Sequence, residues 1–460
     1  MEARQRNVLI VAILASFVSF LDGSIVNVAL PAIGRELGGG VFTQQWVVDG
    51  YLLALGALIL LAGAISDSFG RMRVLIAGLI GFGIASLACA VAPTASVLIA
   101  ARIVQGLAAA LLVPSSLALI TSTFRGAAQS TAIGRWSAWT GTAFLLGPVG
   151  GGALVDLAGW RWIFAINVLP IAVTLLVARR IPEPHREGRA PRIDLPGAVL
   201  GAIGLAGPVF ALIEQERLGW TSPLVLIPLI VGIASLAACL IVERRSANPM
   251  LPLGLFRIRN FGWGNLSTTF IYAALSIGPL AVTLLLQEVA GLSATTAGLV
   301  SLPSALLSLA LGGTAGRLAG RYGARLFMTV GPVIAALGFL WQVLAVRPDV
   351  DVLTQVLPGL LLFAFGLAVT VPPLTSAVLG SIPAERSGIA SAVSNAVSRI
   401  AGLIAVACFG SIVGGTFDTD GFARVMGVCV VLLALGSLSS FVGIRRPPAD
   451  APAASTDAVV

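Results

Sequence analysis

The chain has 460 residues, of which 57% are hydrophobic and only 10% charged. A water-exposed globular protein of this size needs far more polar surface, so the composition excludes that class and points to life in a lipid bilayer. The formal net charge of +8 is spread over short arginine clusters between apolar runs, which excludes a nucleic-acid-binding face and fits the positive bias of cytoplasmic loops.

Lysine is absent from the sequence, which removes the phosphate-loop lysine and every Schiff-base lysine, and with them ATP-driven transport by this chain alone. His185 is the only histidine and lies in a polar stretch. The four cysteines, Cys89, Cys239, Cys408 and Cys429, lie in apolar runs at spacings that fit neither a zinc site nor a disulfide framework. No metal site, no cofactor and no enzymatic chemistry are therefore expected.

Taken in chain order, Arg4 and Arg6 precede an apolar stretch that runs to about residue 31, lacks a cleavage pattern and contains Asp22. It reads as a retained first transmembrane helix, not a signal peptide. Windows of about 19 residues then give spans near 46 to 66, 74 to 93, 97 to 121, 130 to 155 and 161 to 179. Further spans follow near 195 to 213, 223 to 242, 262 to 287, 295 to 316, 326 to 346, 353 to 378, 390 to 412 and 424 to 444, which makes fourteen. With the N-terminus inside, only Arg35, Arg161, Arg217, Arg347 and Arg424 fall outside, Arg102 and Arg399 fall within spans, and all other arginines are cytoplasmic. One missed helix would invert every later loop, so the asymmetry supports the count as well as the orientation.

The sequence also repeats weakly. Gly63, Asp67, Gly70, Arg71 and Arg73, after the second span, recur in spacing as Gly316, Gly320, Gly323 and Arg325 after the tenth. The expected organisation is therefore an all-α membrane protein with a six-helix bundle over 1–180 and cytoplasmic linkers plus two inserted helices over 181–260. A second six-helix bundle follows over 261–446, then a disordered cytoplasmic tail over 447–460. Repeats related by an axis along the membrane normal place the substrate path between the halves.

Ionisable groups within spans mark function by default, because a charge at the bilayer centre costs about 2.5 to 3.5 kcal/mol on insertion scales. Asp22 in the first span is the leading proton-coupling residue. Burial favours its neutral form and an adjacent cation its charged form, so alternation between the two settings takes up and releases a proton. Arg102 in the fourth span is its natural partner; a static pair that only fixes packing is the competing reading. Asp49, near the start of the second span, is a second candidate acid or a solvated helix start. Arg399 lies in the thirteenth span with no acid in its own half, so it meets carbonyls, water, an acid across the interface, or substrate. The loop from Gly63 to Arg73 reads as a gating latch or as an ordinary polar turn. Gly147, Pro148 and Gly151 in the fifth span read as a bent packing surface that can also serve as a hinge.

These segments together resemble the major facilitator superfamily, and within it the drug:proton antiporters with fourteen helices. Leu21-Asp22 through Asn27 to Pro31 is similar to that family's first-helix signature, Gly63 to Arg73 to its loop motif, Arg102 to Gly106 with Pro114 to its fourth-helix motif, and Gly147-Pro148 with Gly151 to its antiporter motif. The likeness extends through Asn395, Arg399 and Gly402, and Gln45 to Tyr51 and Ala211 to Trp220 resemble actinobacterial antibiotic exporters. Gly320 and Ser68 depart from the family pattern. The resemblance implies two six-helix bundles with two inserted helices, both termini cytoplasmic, in a bacterial inner membrane. It also implies that Asp22 and Arg102 serve coupling, Asp67 to Arg73 gating, and Gly147 with Pro148 the direction of transport. A monomer moving small amphipathic substrates outward against protons, with the proton gradient as its energy source, is expected; Asn27, Asn395 and Arg399 are candidate cavity residues. Proton-coupled import and a non-transporting sensor are the alternatives.

Overall fold

The protein is described by a computed structural model over residues 3–181, 195–245, 253–382 and 387–445. His185, the expected tail 447–460 and the arginines at 186, 189, 192, 386 and 446 lie outside the described residues, as do the side chain of Asp67 and the surroundings of Gly63. Every predicted window falls on helix, and no strand occurs among the described residues. The first half comprises α1 (Ala3–Leu37), α2 (Gly40–Phe69), α3 (Arg71–Ala90), α4 (Ala95–Thr123), α5 (Gly126–Gly141), α6 (Ala143–Ala158), α7 (Trp162–Ala165) and α8 (Val168–Ala178). Then come α9 (Leu195–Leu218) and α10 (Pro223–Arg245). The rest comprises α11 (Arg259–Leu284), α12 (Ala294–Tyr322), α13 (Ala324–Ala345), α14 (Leu357–Leu379), α15 (Ser387–Ala407), α16 (Phe409–Val413) and α17 (Thr419–Gly443).

Among the described residues, 12 helical stretches are long and apolar enough to cross a membrane, and Trp162–Ala178 forms a shorter apolar one. Large apolar side chains such as Ile84 (65% exposed) and Leu344 (65%) stand on the outside, which is the arrangement lipid contact requires and water forbids.

Three boundaries differ from expectation. The first helix does not stop at Pro31, which is buried within α1; it ends where Gly38 and Gly39 turn the chain at φ 76° and 84°. A membrane helix tolerates an internal proline because neighbouring groups satisfy the freed carbonyl, whereas positive φ needs glycine. The fifth span is interrupted at Thr142, between α5 and α6, and the sixth turns at Ile166 and Asn167, between α7 and α8.

Helices α1 to α8 pack with one another, as do α11 to α17, while α10 pairs with α9, which rests on α2 and α15. The sequence repeat has a backbone counterpart: Gly70 (φ 99°) separates α2 from α3, and Gly323 (φ 93°) separates α12 from α13. Each glycine ends one helix and starts the next without an intervening loop, the geometry that the left-handed region allows.

The two halves are joined on the face opposite the start of α1. There α6 meets α12 and α2 meets α15. A Cβ on Gly152 would lie 2.3 Å from the Ala294 carbonyl oxygen, and one on Gly298 2.3 Å from that of Pro148, so the α6–α12 backbones touch because these residues are glycine. Asp156 near the end of α6 accepts from the backbone N–H groups of Ala294 (3.2 Å) and Thr295 (2.8 Å), capping α12. Gln287 donates to the Val28 carbonyl at 2.9 Å, Gln44 to Glu288 at 2.9 Å, and Gln45 to the carbonyls of Val406 (3.0 Å) and Ala407 (3.2 Å).

Candidate functional site

Asp22 and Arg102 meet inside the first half. The Asp22 carboxylate is fully buried and Arg102 is 1% exposed. Arg102 Nη1 donates to Asp22 Oδ2 at 2.5 Å, while Oδ1 accepts from Gln105 Nε2 (2.9 Å) and Asn167 Nδ2 (3.1 Å). Arg102 also donates to Gln105 Oε1 (2.7 Å) and to the Val47 carbonyl (3.0 Å). Ser86 Oγ closes the network: it accepts from Gln105 (3.2 Å) and Asn167 (3.1 Å) and donates to the Phe164 carbonyl at 2.8 Å.

Local structure explains the convergence. Arg102 and Gln105 are three apart on α4 and therefore share a face. Gly106 lets α2 lie directly on that face, since a Cβ there would sit 2.3 Å from the Tyr51 carbonyl oxygen. The approach brings the Tyr51 ring under the guanidinium, 4.3 Å from its carbon, and the Tyr51 hydroxyl to 3.1 Å from Ser19 Oγ. Asn167 reaches Asp22 because the turn between α7 and α8 places it there. Asn167 and Ser86 were not anticipated from the sequence; the only signal was a polar side chain within an apolar run.

Asp49 is not a solvated helix start. Because α2 begins at Gly40, it lies nine residues in, roughly 13 Å deep at the α-helical rise. It is fully buried, and neither carboxylate oxygen has a hydrogen-bond partner. Asp49 lies one turn along α2 from Gln45, whose amide bonds the end of α15, so the acid lies at the seam of the two halves.

The remaining predicted residues fall into separate groups. Gly147 and Gly151 seat α6 against α1: a Cβ would lie 2.5 Å from Ser24 Oγ or 2.4 Å from Ile25 Cγ1, respectively. Pro148 lies in the same helix and contributes its carbonyl to the α12 contact. Arg71 donates to the Ala118 carbonyl at 3.0 Å, tying the start of α3 to the end of α4, and Arg73 is exposed and engaged. Asn395 lines a small cavity between α11, α14 and α15, with Thr268, Tyr272, Thr375, Ser394 and Ser398. Arg399, half-buried one turn further along α15, holds its guanidinium 5.8 Å from the Phe20 ring of α1. Asn27 is half-buried on α1 and does not line this cavity.

An all-helical membrane bundle of two halves, closed together on one face and holding a buried carboxylate–guanidinium pair, has the architecture of a secondary transporter. The chain belongs to the Major Facilitator Superfamily, whose sequence profile matches residues 12–406. It is 35% identical to the puromycin resistance protein pur8 of Streptomyces alboniger over 412 residues, 88% of this chain and 81% of that one. The methylenomycin A resistance protein of Streptomyces coelicolor is 34% identical, with 95% of this chain and 92% of the relative covered. The multidrug export protein EmrB of Escherichia coli is 31% identical, covering 88% and 79%. Among solved structures, the inward open xylose transporter XylE of E. coli superposes with a TM-score of 0.68 at 15% identity, over 97% of this chain and 98% of that one. That likeness concerns the fold alone.

Proposed function

We propose that this protein exports small amphipathic compounds across the cytoplasmic membrane in exchange for protons, by alternating exposure of a site between its two halves. The observation that carries the reading is the sealed Asp22–Arg102 pair with its amide and hydroxyl partners. A charged carboxylate is held there by three donors, and protonation removes the reason for the pair to exist. Asp22 thus has two states of different geometry, as a coupling residue needs. Relatives at 31–35% identity are named for resistance or export, which favours outward transport over import.

In this reading all fourteen windows cross the membrane, both termini are cytoplasmic, and the closed face is the outer one. Substrate enters from the cytoplasm against Asn27, Asn395 and Arg399 while Asp22 is charged. The halves then rock outward, Asp22 takes a proton from outside, and the empty carrier returns. Each proton entering contributes about 2.3 kcal/mol per 100 mV of membrane potential. Asp49, buried at the seam, is the second acid. Arg71, Arg73 and Asp67 with Gly63 and Gly70 form the cytoplasmic gate.

The test is proton release from proteoliposomes on addition of transported antibiotic or dye, followed with a pH-sensitive fluorophore. Asp22→Asn abolishes the signal while the protein remains folded. Full proton exchange in that variant removes Asp22 from the mechanism.

A further inference from the structure

The substrate class follows from a charge that the fold leaves open. Arg399 stands at the thirteenth residue of the 21-residue α15, deep within a membrane-spanning helix. Among the described residues it has no carboxylate partner and donates no hydrogen bond; its recorded contact is the face of Phe20 across the interface. That contact runs from α15 of the second half to α1 of the first, so the guanidinium lies where the two halves face each other. A guanidinium at membrane depth is costly unless something satisfies it.

The acids of the interior cannot do so. Asp22 is committed to Arg102, Gln105 and Asn167 and is fully buried. Asp49 is fully buried at the α2–α15 seam. Beside Arg399, the cavity between α11, α14 and α15 presents hydroxyls and an amide, including Thr268, Tyr272, Ser394, Asn395 and Ser398. These are neutral donors and acceptors; none is a carboxylate that would attract a cation. A planar guanidinium with five N–H donors matches an oxyanion in two-pronged fashion, and stacking on an aromatic ring holds its plane.

We infer that Arg399 receives an oxyanion of the substrate, a carboxylate or sulfonate, while the hydroxyl-lined cavity on α11, α14 and α15 takes its polar body. The inference rests on the export reading and narrows it to amphipathic anions. Amphipathic cations meet an unbalanced positive charge at the same place. Arg399 is thereby a substrate-binding residue, distinct in role from Arg102, whose guanidinium is closed off by its own network.

Binding and stability separate this from a packing role. The probes are a matched naphthalene series carrying acetate, ethanol or methyltrimethylammonium groups, tested on the purified full-length protein by thermal shift and equilibrium binding. The acetate raises the melting midpoint and binds at least tenfold more tightly than the ammonium form. Arg399→Gln abolishes that preference while the unliganded midpoint stays level or rises, since an unpartnered charge has left the membrane. A marked fall in the unliganded midpoint of Arg399→Gln, or equal or weaker binding of the acetate in the wild type, overturns the inference. Proton-driven movement of the same probes into proteoliposomes reports on the export reading by itself. Binding preference without any movement defeats that reading alone, and movement of all three probes unaffected by Arg399→Gln defeats the anion assignment alone.

Discussion

Removal of one partner from a buried ion pair costs far more than removal of both, because the survivor is stranded in an apolar interior. Arg102→Leu leaves Asp22 with only Gln105 and Asn167, and should destabilise the protein by roughly 3 to 5 kcal/mol. Asp22→Asn with Arg102→Leu should recover most of that loss. Thermal unfolding of both single variants and the double variant completes the cycle; additive losses would mean that the pair is not coupled. Asp49 is the opposite case, with no partner to strand. Asp49→Leu should leave stability level or raise it by about 1 to 3 kcal/mol, the cost of an unsatisfied buried polar group. It should also lower the number of protons exchanged per substrate, and an unchanged proton count would exclude Asp49 from coupling. Asp22 and Arg102 were legible because ionisable side chains are conspicuous in apolar runs. Ser86 and Asn167 were not, since neutral polar residues are common in membrane helices and only the turn between α7 and α8 gives Asn167 its reach. Asp49 was misjudged in depth because an apolar window starts later than the helix that contains it.

Helices α6 and α12 approach as closely as backbone allows, and this contact is the outer closure in the exporter reading. The glycines of the fifth span divide the work by face: Gly147 and Gly151 receive α1, and Gly152 receives Ala294 of α12. A side chain at Gly152 meets backbone, which cannot rotate away as the end of a side chain can. Gly152→Val should therefore separate α6 from α12 and shift the population toward the state open on that face. Spin labels at Leu157 on α6 and Leu353 at the start of the α14 span, both strongly exposed, should report a longer mean distance by electron–electron resonance. An unchanged distance distribution would show that the contact yields without opening. The motif was legible as a tight, bent surface. Which glycine faces which neighbour was not, because the break at Thr142 resets the register of α6 relative to α5.

Hydrogen bonds join the halves on one face: Asp156 on the start of α12, Gln287 on α1, Gln44 on Glu288 and Gln45 on the end of α15. Helix α9 reinforces that face, with Phe210 edge-on to Trp46 at 5.8 Å and Gln215 bonded to Ser411 at 2.6 Å, so it touches both halves. Rocking requires all these contacts to part together, as packed interfaces switch between discrete arrangements. A covalent tie across the face should arrest the cycle without touching the coupling acids. Asp156→Cys with Thr295→Cys places two thiols where a carboxylate now bonds the backbone of the neighbouring helix at 2.8 Å. Oxidation should stop proton-driven substrate movement and leave substrate binding from the opposite face intact, and a reductant should restore turnover. Transport at the full rate through a verified cross-link would mean that α6 and α12 never part, and that substrate crosses without the halves changing their relation.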